Sequence, residues 1–149
     1  MDTTTNWYWE GNIVDALAQH LSNSGWHIES KADTRSKARG IDIQASKGEQ
    51  KLLIEVKGYP SKEYRDPARA AETKRTQPSN QAQQWYSHAL LAALRIQTKN
   101  PSAKVALAFA DFPRFRTLFD ETYRGLERLG VGVFMVNEAG QVWEWGVGN

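Results

Sequence analysis

The order of strand-like and helical segments predicts a three-layer α/β domain with a central mixed β-sheet. Three observations support this fold class: a tight hairpin signal around residue 48, two later apolar runs typical of strands covered on both faces, and three segments with helical spacing between the strands. Residues 1–149 are enough for one domain with a substantial buried core. We therefore expect a single domain.

The composition limits the class of protein. At 40% hydrophobic and 24% charged residues, it is close to the globular average. The absence of cysteine excludes disulfides and thiolate metal sites and favours an intracellular enzyme. No apolar run approaches about 18 residues, and residues 1–12 lack the pattern of a signal peptide. These features predict a cytoplasmic protein that does not enter a membrane.

The chain is predicted to begin with one helix and one strand. The helix is expected over residues 7–23, with Thr5 or Asn6 as its N-cap and Gly25 just beyond its end. Its apolar side chains recur at helical spacing, namely Ile13, Val14, Leu17 and Leu21. Residues 26–30 then alternate apolar and polar side chains, which is typical of a strand.

A β-hairpin is the clearest local signal. Two β-rich runs, 41–45 and 52–57, flank a turn centred on Gly48 and Glu49. Glycine suits this turn because a two-residue hairpin needs a positive φ. The turn also fixes the pairing of the strands. One face of the hairpin is then entirely apolar and is predicted to join the core: Ile41, Ile43, Ala45, Leu52, Ile54 and Val56.

The same pairing places Asp42 opposite Glu55 on the other face. Directly opposed residues have Cβ atoms about 4.5–5.5 Å apart, and like charges there destabilise a sheet. A hard divalent cation would relieve the repulsion, because Mg²⁺ is held by one or two carboxylates together with water and phosphate oxygens. Lys57 lies on the same face, about 6.5–7 Å along the strand from Glu55. An ordinary half-exposed strand with a surface ion pair is the alternative interpretation.

The second half of the chain supplies the rest of the sheet and its covering helices. A long polar segment, 58–79, contains a predicted short helix near 67–74, and segments of this length are usually functional or mobile. The later elements are predicted as a helix from Ser79 or Asn80 to Thr98, a strand at 105–109, a helix at 112–129 ending at Gly130, and strands at 131–136 and 141–145.

An Asp followed after 12 residues by Glu-x-Lys on adjacent strands resembles the PD-(D/E)xK nuclease superfamily, which includes restriction endonucleases and Holliday junction resolvases. The matching residues are Asp42, Glu55 and Lys57, and Ile41 stands where the motif's name has proline. The motif is short, but the order of elements extends the resemblance over most of the chain. It implies a restriction endonuclease-like fold.

The resemblance also implies Mg²⁺-dependent cleavage of phosphodiester bonds, with Mn²⁺ as a substitute. Asp42, Glu55 and the main-chain carbonyl of Val56 would be metal ligands, and Lys57 would orient the attacking water or stabilise the transition state. Many members carry a glutamate on the first helix, which here corresponds to Glu10. Glu10 shares the inward face of that helix and is expected to reach the metal through water. Without the resemblance, a first-turn glutamate favoured by the helix dipole is the simpler interpretation.

Nucleic-acid contacts are expected from local patches, since the net charge is only +2. Arg35, Lys37 and Arg39 precede the Asp42 strand and are candidates for phosphate binding, although basic loops are as often merely solvated. Some exonuclease branches of the superfamily carry Gln-x-x-x-Tyr on the second helix. Gln81 matches its first residue, with Trp85 in place of the tyrosine. It is a candidate for binding phosphate or a ligand water, and a polar residue at a helix start is the alternative.

Three functions fit these features. The first is a Mg²⁺-dependent endo- or exonuclease acting on DNA, with specificity from a homodimer, a partner protein or DNA structure. The second is a non-catalytic nucleic-acid-binding or assembly domain that retains the fold. The third uses the carboxylates as a glycosidase pair, for which a spacing of about 5–5.5 Å is suitable, with tryptophans lining a sugar cleft. That function leaves Lys57 without a role, and most tryptophans fall on predicted core faces.

Overall fold

The computed structural model describes residues 6–32, 40–60 and 78–148. Helices and strands alternate within these ranges in the predicted order. The helices are α1 (Glu10–Asn23), α2 (Pro78–Lys99) and α3 (Pro113–Leu129). The strands are β1 (His27–Lys31), β2 (Ile43–Lys47), β3 (Gln50–Lys57), β4 (Lys104–Ala110), β5 (Val131–Val136) and β6 (Val142–Trp145). The short helix predicted near 67–74 lies outside the described residues.

The strands form one mixed sheet in the order β1-β2-β3-β4-β5-β6. Strands β1, β2 and β3 pair antiparallel, β3, β4 and β5 pair parallel, and β6 returns antiparallel to β5. Parallel neighbours need a crossover connection, which α2 supplies between β3 and β4 and α3 supplies between β4 and β5. The carboxyl ends of β3, β4 and β5 therefore lie at the same end of the sheet.

Helices cover both faces of the sheet. Helix α1 packs on one face with the apolar side of the hairpin, and α2 and α3 pack on the opposite face. The side chains of β4 from Val105 onwards and all of those of β5 are buried, as expected for parallel strands covered on both sides. This arrangement confirms the predicted three-layer α/β fold class.

The hairpin has the predicted register. Ile43 pairs with Ile54 and Ala45 with Leu52, and Gly48 has a φ of 60° in the turn. The predicted apolar face is buried under α1, except that Ile41 is half-buried. Full burial of one such side chain contributes roughly 1.5–3 kcal/mol, so a register shift by one residue would lose a large part of this core.

The start of α1 differs from the prediction. The helix begins at Glu10 rather than near Trp7, and its N-cap is Trp9, without a side-chain hydrogen bond, rather than Thr5 or Asn6. The reason is a tertiary contact: the carbonyl of Tyr8 accepts a hydrogen bond of 3.0 Å from the main-chain N–H of Tyr59. Tyr8 is held against the end of β3 and cannot continue the helix.

The other predicted bounds agree with the structure to within two residues. Gly130 ends α3 with a φ of 72°, as predicted. The tryptophans depart from expectation in one respect: all six are half-buried rather than enclosed, although four of them pack against the core: Trp7, Trp26, Trp143 and Trp145. No helix among the described residues has the length and apolar character needed to cross a membrane.

Candidate metal site

Asp42 lies immediately before β2, where the hairpin ladder has ended. The last pair of the ladder is Ile43 with Ile54, so the main chain of β3 beyond Ile54 has no β2 partner. The Asp42 side chain replaces the missing main-chain partner: its Oδ2 accepts a hydrogen bond of 2.8 Å from the N–H of Val56. This bond holds the Asp42 carboxylate against β3 at Val56, the residue that directly follows Glu55.

The carbonyl of Val56 points toward the same side of β3. In an extended strand, the N–H and C=O of one residue point toward the same neighbouring strand. Because the N–H of Val56 bonds to Asp42, its carbonyl oxygen also faces the side that Asp42 occupies. Asp42 and the Val56 carbonyl are therefore available to a common ligand.

Glu55 and Lys57 project from the opposite face of β3 from Val56, because side chains alternate along a strand. The Nζ of Lys57 is 3.5 Å from Oε2 of Glu55, and the two side chains are 25% and 13% exposed. We refer to Asp42, Glu55 and Lys57 as the acidic site. The structure thus brings together the three residues that carry the sequence motif.

The charges of the acidic site are not matched. Burial raises the pKa of the Glu55 carboxyl to about 7; repulsion from Asp42 adds to the rise, and the Lys57 ammonium opposes it. Burial also raises the pKa of Asp42, although the hydrogen bond from Val56 and the charge of Lys57 act in the other direction. Two carboxylates share one ammonium, so the ionised site has a net charge of −1 and is stabilised by a proton or a cation.

The oxygen atoms of the acidic site suit a hard cation. Within the described residues, Oδ1 of Asp42 and Oε1 of Glu55 accept no hydrogen bond, so each has free lone pairs. No group of three or more His, Cys, Asp or Glu side chains converges in this part of the chain. Mg²⁺ does not need such a group, because it is usually held by one or two carboxylates, with waters completing its shell. The two carboxylates and the Val56 carbonyl fit that requirement.

Glu10 is placed near the acidic site by the packing of α1 on Gly58. A Cβ built on Gly58 would be 2.7 Å from the main-chain nitrogen of Glu10 and closer still to the carbonyl oxygen of Tyr8. Only glycine permits this approach. Gly58 follows Lys57 directly, so the first residue of α1 lies at the carboxyl end of β3. The Glu10 side chain itself is half-buried.

Helix α2 also begins at this end of the sheet. The ring of Tyr86 stacks on Phe109, with centroids 5.0 Å apart, and Phe109 is the register partner of Lys57. The far end of α2 lies near the start of β5, where Gln97 donates a hydrogen bond to the carbonyl of Leu129. The first turn of α2, which contains Gln81, is therefore on the side of Lys57. The Oε1 atom of Gln81 is buried and accepts no hydrogen bond within the described part of the chain.

Four aromatic rings lie where the segment before α1, the residue after Gly58 and the β4–α3 connection meet, and we call them the ring cluster: Trp7, Tyr8, Tyr59 and Phe112. All four pack against the core on the α1 side of the sheet. Phe112 is the middle ring of a stack. It is parallel to Tyr59 at a centroid distance of 3.8 Å and an interplanar angle of 4°, and to Trp7 at 5.2 Å and 13°. Each ring is only half-buried.

Arg35, Lys37 and Arg39, the predicted phosphate-binding residues, lie outside the described residues. The basic residues that follow Lys57 in the sequence also lie there, namely Lys62, Arg65, Arg69, Lys74 and Arg75. Lys31, a basic residue shortly before the segment that contains Arg35, forms an exposed ion pair with Asp15 at 2.9 Å. The phosphate contacts of these basic segments therefore stay a prediction.

The fold and the site define a mixed α/β domain with an acidic centre at a strand end, and known structures share that fold. No family model matches the chain, and a search of curated proteins finds no match. A XisH family protein from Nostoc punctiforme aligns with a TM-score of 0.51 at 15% identity, over 89% of this chain and 97% of that chain. A fdxN element excision controlling factor protein from Anabaena variabilis aligns with a TM-score of 0.52 at 16% identity, over 91% and 96%. At these identities, the similarity shows the fold alone.

Sequence reasoning missed two features around the acidic site. The sequence places Trp7 in the first helix and Phe112 in the third, and it does not predict that Phe112 stacks between Trp7 and Tyr59. The close approach at Gly58 was also missed. A signal for both is present in the sequence, because Gly58 and Tyr59 directly follow Lys57, and Trp7 and Tyr8 shortly precede Glu10.

Proposed function

We propose that this protein is a Mg²⁺-dependent nuclease with a restriction endonuclease-like fold, acting on DNA. The observation that carries the proposal is the acidic site: two half-buried carboxylates beside one ammonium, with a strand carbonyl facing the same side. Phosphodiester hydrolysis needs a cation to neutralise phosphate charge and an ammonium to support the attacking water. The carboxylates would bind the cation, and Lys57 would be the ammonium.

Each residue would have a defined part in the reaction. Asp42, Glu55 and the Val56 carbonyl would hold Mg²⁺ or Mn²⁺, with Glu10 acting through a water. When bound, such an ion lowers the pKa of a coordinated water and neutralises charge on the phosphate. Lys57 would orient the attacking water or stabilise the negative charge of the transition state. The buried Oε1 of Gln81 would accept a hydrogen bond from a water of the metal shell.

The surrounding backbone favours an anionic substrate. Helices α1, α2 and α3 begin at the carboxyl end of the β3–β4 pair, where α3 follows β4 directly and α1 packs on Gly58. Helix N-termini carry unpaired N–H groups and partial positive charge, and they stabilise phosphate. This field would offset part of the repulsion between the acidic site and a phosphodiester backbone.

DNA is the proposed nucleic acid for two reasons. The superfamily that the motif resembles consists largely of DNA-cleaving enzymes. In addition, one structural neighbour is named for the control of element excision, which is an event on DNA. Specificity is proposed to come from a homodimer, a partner protein or DNA structure, because the described chain is mostly core and leaves little room for a separate base-reading module.

Cleavage assays on purified protein test the proposal. The protein would be incubated with Mn²⁺ or Mg²⁺ and with linear duplex, circular, branched and single-stranded DNA, and with RNA. Cleavage that requires the metal and stops in EDTA is expected for at least one DNA substrate. Binding without cleavage of any substrate, together with no thermal stabilisation by either metal, would instead support the non-catalytic nucleic-acid-binding domain. Sugar hydrolysis that is insensitive to EDTA would revive the glycosidase hypothesis.

A further inference from the structure

The ring cluster is a group of partly exposed aromatic side chains at the end of the sheet where the acidic site also lies. Its stack of Trp7, Phe112 and Tyr59 is close to parallel, and each ring keeps part of its area exposed to solvent. Aromatic side chains of this size usually bury most of their area in the core. The four rings also pack against the core, and their exposed parts lie together at one place, which makes this patch a candidate binding surface.

The position of the cluster follows from the segments that carry it. Tyr59 is two residues after Lys57, and its N–H bonds to the Tyr8 carbonyl. Trp7 is three residues before Glu10, and Phe112 lies between β4 and α3. The stack is therefore built from the three chain segments that meet at the carboxyl ends of β3 and β4, which is also the end of the sheet that carries the acidic site.

Arg114 lies in the first turn of α3, two residues after Phe112. Burial raises the pKa of Tyr59, and the charge of Arg114 acts in the opposite direction. Arg114 donates hydrogen bonds to the carbonyl of Ser79 and to Oε1 of Gln83, at 3.3 and 2.7 Å. Both acceptors are neutral, and no carboxylate of the described residues pairs with Arg114. Its charge is left available for a phosphate.

We propose that the ring cluster and Arg114 bind unpaired nucleotides next to the phosphodiester that the acidic site cleaves. The inference rests on the proposed nuclease function and specifies its substrate as DNA with single-stranded nucleotides at the cut, such as a flap, a frayed end or a single strand. The reason is geometric. In a duplex, neighbouring bases already cover both faces of each base, whereas an unpaired base presents a free face to an aromatic ring.

A purely structural role for the rings makes a different prediction. If Trp7 serves only to fix the start of α1, its replacement changes stability and affects all nucleic acids alike. If it also stacks on a base, its replacement weakens single-strand binding selectively. Trp7→Leu keeps an apolar side chain for packing but removes the aromatic face. Trp145→Leu is a matched control, because Trp145 is also half-buried and packs on Phe119 and Tyr123, in a group of rings on the β6 side.

The experiment measures binding in the absence of cleavage. Asp42→Asn protein without metal is titrated into a labelled oligothymidylate of about 15 nucleotides and, separately, into a hairpin duplex of the same length, with fluorescence anisotropy as the readout. We expect Trp7→Leu in this background to weaken single-strand binding about fivefold or more and to leave duplex binding unchanged. Trp145→Leu should change neither. Trp7→Phe should restore most of the single-strand affinity.

A second variant keeps the proposal testable if Trp7→Leu does not fold. Arg114→Gln should also weaken single-strand binding, whereas Arg124→Gln should not, although Arg124 lies on the same helix beside the Tyr123 ring. Equal loss on single strand and duplex, or no loss with either variant, would overturn the proposal. Cleavage restricted to fully paired DNA would also overturn it while leaving the nuclease function intact. Selective single-strand loss without any metal-dependent cleavage would refute the nuclease function and retain the binding surface.

Discussion

Two groups of carboxylates and cations lie at the ends of adjacent parallel strands, and they differ in how their charges are matched. Just after β4, Asp111 accepts two hydrogen bonds from Arg116, both 2.8 Å long. We call these two residues the closed pair. At the end of β3, Asp42 and Glu55 share Lys57, which is 3.5 Å from Glu55. In the closed pair, each carboxylate oxygen has a hydrogen-bond donor. In the acidic site, the carboxylate oxygens outnumber the donors.

The pKa values follow this difference. In the closed pair, the hydrogen bonds to Asp111 raise the pKa of Arg116, so the charged forms stabilise each other. In the acidic site, the pKa values of both carboxyls are raised, so the charged forms are destabilised. The presence of charge at a strand end is therefore a weak indicator of function. Unmatched, half-buried negative charge is a stronger one, because a ligand can supply what the protein lacks.

The largest expected difference between the two groups is in catalysis. Asp42→Asn removes a proposed metal ligand with little change in shape, and Asp111→Asn makes the same chemical change in the closed pair. We expect the first to lower the Mg²⁺-dependent cleavage rate by about 100-fold or more, as loss of transition-state stabilisation does elsewhere. The second should leave the rate close to that of the wild type. Initial rates on the best DNA substrate measure both.

Lys57→Ala belongs to the same test. It should reduce cleavage as strongly as Asp42→Asn, with unchanged far-UV circular dichroism as the check on folding. An Asp42→Asn protein that cleaves DNA at the wild-type rate would refute the assignment of the acidic site. If Asp111→Asn were as inactive as Asp42→Asn, charge matching would not distinguish the two groups, because the closed pair would then be as important for catalysis as the acidic site.

The acidic site was largely predictable because its geometry is local. A glycine turn and alternating side chains fix the register of the hairpin, and the register puts Glu55 and Lys57 on one face with Asp42 at the end of the ladder beside them. The predicted Asp42–Glu55 pair is not formed, because the last pair of the ladder is Ile43 with Ile54. The hydrogen bond from Val56 to Asp42 was not predictable, since it depends on where the β2 ladder ends. The start of α1 was predicted wrongly for a related reason: local helical spacing includes Trp7 and Tyr8, but contacts with Tyr59 and Phe112, distant in sequence, hold them outside the helix.

The next largest effect is the pH dependence of stability without metal. The Glu55 pKa is about 7 in the folded protein and about 4.5 when unperturbed, so the folded state binds more protons between these values. The free energy of unfolding should then fall as pH rises from about 4.5 to 7 and level off above that. The full difference is on the order of 3 kcal/mol for a change of this size. Urea denaturation in EDTA at several pH values measures it.

Two variants separate Glu55 from the other titrating groups. Glu55→Gln should remove most of this pH dependence, because the group that titrates is gone. Asp42→Asn should reduce it, since repulsion from Asp42 contributes to the raised pKa of Glu55. Asp111→Asn should leave it as in the wild type. If Glu55→Gln retained the wild-type profile, Glu55 would not be the group responsible.

A bound metal should offset the loss of stability that ionisation of Glu55 causes at high pH. At pH 8 the Glu55 carboxyl is largely ionised, since its pKa is about 7, and binding of Mg²⁺ or Mn²⁺ should stabilise the folded protein by about 2 kcal/mol when free metal is about 30 times Kd. Affinity should weaken as pH falls below 7, because the proton and the metal compete for Glu55. Thermal melting with and without metal measures the shift. Asp42→Asn should lose it and Asp111→Asn should keep it; a shift of equal size in both variants would place the metal elsewhere.

The smallest expected effect is the change in the free energy of unfolding when one carboxylate is neutralised, and its sign should differ between the two groups. Asp111→Asn removes a charge that Arg116 matches, and we expect it to lower the free energy of unfolding by about 0.5–1 kcal/mol, the usual value of a partly exposed ion pair. Glu55→Gln removes a charge that is not matched, so without metal at pH 8 it should raise the free energy of unfolding. Urea denaturation of both variants under one condition gives the two signs. Equal destabilisation would mean that Glu55 and Lys57 form an ordinary structural pair, and the acidic site would lose its distinction from the closed pair.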